Sequence, residues 1–142
     1  MPDARVVTHV MDADPDLVSS DLSESIRAAC RTAVGDSLRS ITYFTPTRFQ
    51  QIYLRSDLES DADLAGFVEH ETDGFRAARA YRGSELGNYE YTVRAFENGY
   101  MTRVTRNQHG VFVTTDSITE RHSEEVASAL SELLAEPISE TA

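Results

Sequence analysis

The sequence predicts one α+β domain: a five-stranded antiparallel sheet with helices packed on it, in the order α-β-β-α-β-β-β-α. Three observations carry this reading. The chain has 142 residues, the length of a single domain. Apolar residues recur at helical spacing in three stretches and concentrate in short β-branched and aromatic runs in five others. Tight-turn signals at Asn98-Gly99 and Asn107-Gln108-His109-Gly110 join the last three runs into a meander. The domain is expected over residues 15–135. Residues 1–14 read as a loose arm or an edge strand built on Val6 to Val10, and residues 136–142 as a flexible tail after a proline stop.

The first helix is expected over about 16–35. Asp21 and Glu24 give a capping pair near its start. Leu22, Ile26, Ala29, Cys30, Ala33 and Val34 form its apolar face, and Gly35 suits its carboxyl-terminal cap. Arg39 to Thr45 and Arg48 to Arg55 are two strands around Thr45-Pro46-Thr47. Large residues fall on both of their faces, so this hairpin is expected to be covered on both sides.

Ser60 and Asp63 signal the start of a second helix, and Leu64, Phe67, Val68 and Glu71 follow at helical spacing. Asp73-Gly74 interrupts it, and Phe75, Ala78 and Tyr81 continue as a separate turn. Strands are then expected over 88–97, 100–106 and 111–115. Ser117-Ile118-Thr119-Glu120 reads as a capping box that opens the last helix. Its apolar face holds Val126, Leu130, Leu133 and Leu134, with His122 beside them.

Composition narrows the setting. The net charge is −11, with 24 acids, and all 13 basic residues are arginine. A cytoplasm rich in salt accounts for both features. At about 1 M salt the Debye length falls to about 3 Å, so an acidic surface repels itself little. Arginine keeps a bidentate hydrogen-bonding fork where plain charge attraction fades. The same charge argues against nucleic acid or an anionic membrane as partner. Cys30 is the only cysteine, which excludes an intramolecular disulfide and a cysteine zinc site. No apolar run approaches the roughly 20 residues of a membrane span, and the chain reads as cytoplasmic.

Two resemblances add to this. The element order resembles the roadblock and profilin-like scaffold over residues 16–135. The segments Ile52-Tyr53-Leu54-Arg55-Ser56-Asp57-Leu58 and Tyr91-Thr92-Val93-Arg94-Ala95-Phe96-Glu97-Asn98-Gly99-Tyr100 resemble a family of small acidic haloarchaeal proteins of unknown function. That likeness agrees with the salt argument and carries over no catalytic residue.

No glycine-rich phosphate loop or nucleophile elbow is present. Glu69-His70-Glu71 with Asp73 is the one dense donor cluster, and it reads as a solvated acidic face. No catalytic residue, metal or cofactor is expected. His109 falls in a turn, where it is expected in solvent.

The informative stretch is the hairpin at Asn98-Gly99. A two-residue type I′ loop there sets Arg94 opposite Arg103 and Phe96 opposite Met101. Like charges directly opposite each other destabilise a strand pair. Either acids from a neighbouring element pair with both arginines and the second helix covers Phe96 and Met101, or this face contacts another subunit, an acidic partner surface or an anionic ligand. Arg94, Phe96, Met101 and Arg103 are therefore the expected interaction surface. The expected function is a non-enzymatic adaptor or regulatory module, a homodimer with a possible protein partner. The alternative is a small-molecule sensor with a ligand between sheet and helix, lined by Tyr43, Tyr53, Tyr81 and Tyr89.

The charge balance sets a first test. Thermal unfolding followed from about 0.1 M to 2 M salt is expected to show a steeply rising Tm, continuing past the roughly 3 Å screening length reached at 1 M. A flat Tm would remove the high-salt reading.

Overall fold

The structure is a computed structural model that describes residues 11–58 and 64–135. The expected strand at Val6 to Val10, the capping signal at Ser60 to Asp63 and the tail at 136–142 lie outside the described residues. In chain order the elements are β1 (Asp12–Ala13), α1 (Ser20–Val34), β2 (Leu38–Phe44), β3 (Arg48–Leu54), α2 (Leu64–Glu71), α3 (Asp73–Ala80), β4 (Thr92–Phe96), β5 (Gly99–Arg106), β6 (His109–Thr115) and α4 (Glu120–Leu134).

Among the described residues the sheet has six strands in the order β1-β3-β2-β6-β5-β4, and it is mixed rather than all antiparallel. The added strand is β1, which pairs parallel to β3. Asp12 and Asp14 donate their backbone N–H groups to the carbonyls of Thr47 and Phe49, at 3.1 and 2.8 Å. The Asp14 carboxylate also meets Arg48 at 2.8 Å. Two residues of ladder leave too short a pattern to be read from sequence.

The two faces of the sheet differ in chemistry. Alternate residues of a strand point to opposite faces. Ile41, Tyr43, Val104, Val111 and Val113 meet Ile26 and Cys30 of α1 and Val126, Leu130 and Leu134 of α4. On the other face Phe44, Met101 and Phe112 meet Val68 of α2 and Phe75 of α3. β2 is thus covered on both sides, while β3 is only half-buried over most of its length. Burial pushes the Cys30 thiol up to about 12, which fits a packing residue.

Helix ends differ from expectation by their caps. The Ser19 hydroxyl accepts the Leu22 N–H at 3.1 Å, so α1 begins at Ser20 and Asp21 lies inside its first turn. At its other end Gly35 has φ +58° and sends its N–H to the Arg31 carbonyl, as a glycine cap should. Thr119, not Ser117, caps α4 by accepting the His122 N–H.

His109 corrects the turn reading most clearly. It is 1% exposed. One ring nitrogen takes the Tyr43 hydroxyl at 2.7 Å and the other meets the Leu134 carbonyl at 3.1 Å, which joins the β5–β6 hairpin to the end of α4. Burial holds its pKa below the ordinary 6.5, so the ring stays neutral. Elsewhere arginine forks tie the strands together. Asp116 accepts from Arg39 at 3.2 Å and from Arg55 at 2.7 Å, and these bonds hold its carboxyl below the usual range.

The register of the β4–β5 hairpin also departs from expectation. Phe96 pairs with Gly99, Arg94 with Met101 and Thr92 with Arg103. The two-residue loop is therefore Glu97-Asn98, and neither Asn98 nor Gly99 has positive φ. Each strand slips by one residue, so the faces are kept while the two arginines become diagonal neighbours. Positive φ occurs instead at Asn107 and Gln108, the loop between β5 and β6. Glycine is required at 99 for another reason. A Cβ there would stand 2.0 Å from the Thr115 carbonyl oxygen of β6.

Urea denaturation of Gly99→Ala is accordingly expected to show a loss of about 1–3 kcal/mol, the range for overpacking. Asn98→Ala, at an exposed loop position, is expected to change stability by less than about 0.5 kcal/mol. The reverse order would restore the Asn98-Gly99 loop.

Candidate interaction surface

The last residue of α2 organises the second face. Glu71 lies at the i+7 position of the spacing Leu64, Phe67, Val68, which turns it inward toward the sheet. It is fully buried. Arg94 of β4 donates Nε to Glu71 Oε2 at 2.9 Å and Nη2 to Oε1 at 3.4 Å. Arg103 of β5 donates Nη1 to Glu71 Oε1 at 2.6 Å. Its Nη2 reaches the Thr92 hydroxyl at 2.8 Å and the Tyr89 hydroxyl at 3.1 Å. Arg103 Nε is buried without a partner.

Local structure makes room for this cluster. Gly74, at the start of α3, lies against the Arg103 guanidinium, and a Cβ there would stand 2.6 Å from Cζ. Two guanidinium groups share one carboxylate, so the cluster carries a net positive charge within a chain of net charge −11.

The expected surface residues divide. Met101 is fully buried and Arg103 is 4% exposed, both covered on the α2–α3 face, so neither offers an outer surface. Arg94 keeps 37% of its side chain in solvent. Phe96 is 51% exposed and rests one edge on Phe67 of α2, with ring centroids 6.1 Å apart. An acid from a neighbouring element does pair with both arginines, and α2 and α3 cover Met101 but leave Phe96 half open.

The four tyrosines do not converge. Tyr43 is buried on the α1–α4 face beside His109, and Tyr53 packs against that same core with Arg27 over its ring. Tyr81 and Tyr89 stack on each other, centroids 6.5 Å apart, and Tyr89 joins the Arg103 cluster on the opposite face. They line no common cavity. Glu69, His70 and Asp73 are exposed while Glu71 turns inward, which disperses the donor cluster. Among the described residues no three His, Cys, Asp or Glu side chains are placed to hold a metal ion, and no helix is long and apolar enough to cross a membrane.

Sequence reasoning treated Glu71 as part of an acidic run. The signal that finds it is its place in the apolar period of α2. An acid at such a position must meet a cation, because an unpaired buried carboxylate is too costly.

A domain family of unknown function (DUF7522) matches residues 24–135, and the chain belongs to it. No curated protein matches the sequence. Among solved structures, the gliding protein MglB from Thermus thermophilus superposes with a TM-score of 0.57 at 10% identity, over 86% of this chain and 98% of that one. An MglB with a tetrameric arrangement gives 0.55 at 13% identity, over 86% and 97%. Myxococcus xanthus MglB gives 0.52 at 9%, over 78% and 94%. These likenesses show that the chain shares the fold of the MglB structures.

The cluster yields a graded expectation. Glu71→Gln removes the one negative charge and leaves Arg103 buried and unpaired, so chemical denaturation should show a loss of about 3–5 kcal/mol. Arg94→Leu leaves the Glu71–Arg103 pair intact at a half-exposed site and should cost about 1 kcal/mol. Equal losses would mean that Glu71 is not the hub.

Proposed function

We propose that the chain is a non-enzymatic interaction module that works as a homodimer in a high-salt cytoplasm, joined through the open edge of β4. One observation supports this above the others. β4 ends the sheet and shows apolar side chains on both of its faces, Val93 at 41% and Phe96 at 51% exposure. Thr92, Arg94 and Phe96 pair with β5 in the closely bonded positions of a two-residue hairpin. Val93 and Ala95 therefore send their N–H and C=O groups outward. An edge of this kind is a template for another strand. The half-exposed Arg94 beside Phe96 adds a cation and an aromatic ring, both common in interface cores. Fold likeness to the MglB structures, one of which is described as tetrameric, agrees with an assembling scaffold.

Light scattering in high salt tests this. The parent chain should have the mass of a dimer. Ala95→Pro removes an outward N–H without touching the β4–β5 ladder, and it should shift the mass to a folded monomer. Phe96→Ala and Arg94→Glu should shift it in the same direction. A dimer unchanged in all three would place the subunit contact elsewhere.

A further inference from the structure

A second unpartnered strand edge lies beyond the end of β4. The last β4–β5 pair is Thr92 with Arg103, so residues 104–106 of β5 continue without a ladder partner on that side among the described residues. The β5–β6 hairpin closes on Arg106 and His109 around a two-residue loop. In that geometry Thr105 turns its N–H and C=O away from β6. Among the described residues no backbone hydrogen bond joins Thr105 to residues 88–91, which run beside it.

The space at this edge is an open groove of about 860 Å³ between residues 88–91 and α4, with Thr105 among its lining residues. Thr105 is only 6% exposed. Its methyl group lies toward Gly110 of β6, and its hydroxyl is buried without a partner. The backbone N–H and C=O of Thr105 are thus without a strand partner at the groove, while its side chain turns to the α2–α3 face.

The walls are mainly acidic. Glu90 comes from the strand side, and Glu124, Glu125 and Glu132 from α4. The one cation there, Arg106, is engaged with the Ser131 hydroxyl and carbonyl, both at 3.1 Å.

We propose that this groove docks an extended segment of a partner protein that bears arginine or lysine. Its backbone would pair with Thr105 and its cations would meet the four glutamates. The unpaired Thr105 groups supply the ladder contact, and charge complementarity selects the sequence. The site is separate from the outward groups of β4 and does not depend on dimer formation.

Amide NMR on the full chain tests it, with a nine-residue peptide of alternating arginine and threonine as probe. A peptide with glutamate for arginine, and spermine, are the controls. The arginine peptide should shift the amides of Thr105, Ser128 and Ser131, and the glutamate peptide should not. Glu124→Gln with Glu132→Gln should weaken binding at least tenfold. Asp21→Asn with Glu24→Gln, on exposed positions of α1, should change it less than twofold. Light scattering on both variants should give the parent mass, which keeps this result apart from the β4 reading. The proposal is overturned by an unmoved Thr105 amide, or by equal weakening in the α1 variant, which would show general attraction to an acidic protein. Equal shifts with spermine would overturn it too, by showing a simple cation site.

Discussion

The arrangement of the second face depends on one buried carboxylate. Glu71 ends α2 and holds Arg94 of β4 and Arg103 of β5 at the same time. Desolvating a carboxylate and a guanidinium costs several kcal/mol each, so the ions stay charged only if their geometry and remaining hydrogen bonds are good. Here Arg103 Nη2 finds the hydroxyls of Thr92 and Tyr89, while its Nε is left without a partner. The missing side chain of Gly74 lets α3 begin against the guanidinium. The cluster therefore links α2, α3, β4, β5 and the segment before β4.

That linkage explains why the two faces of the sheet do different work. The α1–α4 face is largely aliphatic, and its buried His109 and Tyr43 are hydrogen-bonded within the chain. The α2–α3 face is aromatic and ionic, and it stops short of the sheet edge. Arg94 is anchored from below by Glu71 yet half open above, and Phe96 leans on Phe67 with its other side in solvent. A surface held this way is ordered before a partner arrives, so less conformational entropy is lost on association.

The arginine-only composition has a structural counterpart. Asp116 bridges Arg39 and Arg55, and Glu71 bridges Arg94 and Arg103. In both cases one carboxylate accepts from two planar forks, a geometry that a lysine ammonium does not supply. Such contacts keep a directional hydrogen-bond component in salt that screens long-range attraction.

The sequence by itself determined the element order from α1 to α4, the alternation along the strands, the Gly35 cap and the burial of Cys30. All of these follow from local periodicity and backbone preference, which act within a few residues. The alternation of β4 and β5 even kept its faces through a slip in register, because moving both strands by one residue preserves parity. Only the tertiary structure decided the register itself. In that register Gly99 comes close to Thr115, a contact between strands that no turn signal reports. Packing likewise buried His109, turned Glu71 from an acidic run into a hub, and separated Tyr43 and Tyr53 from Tyr81 and Tyr89. Each of these depends on which residues meet across the sheet, and burial turns a polar side chain from a solvated group into one that must find its partner inside the protein.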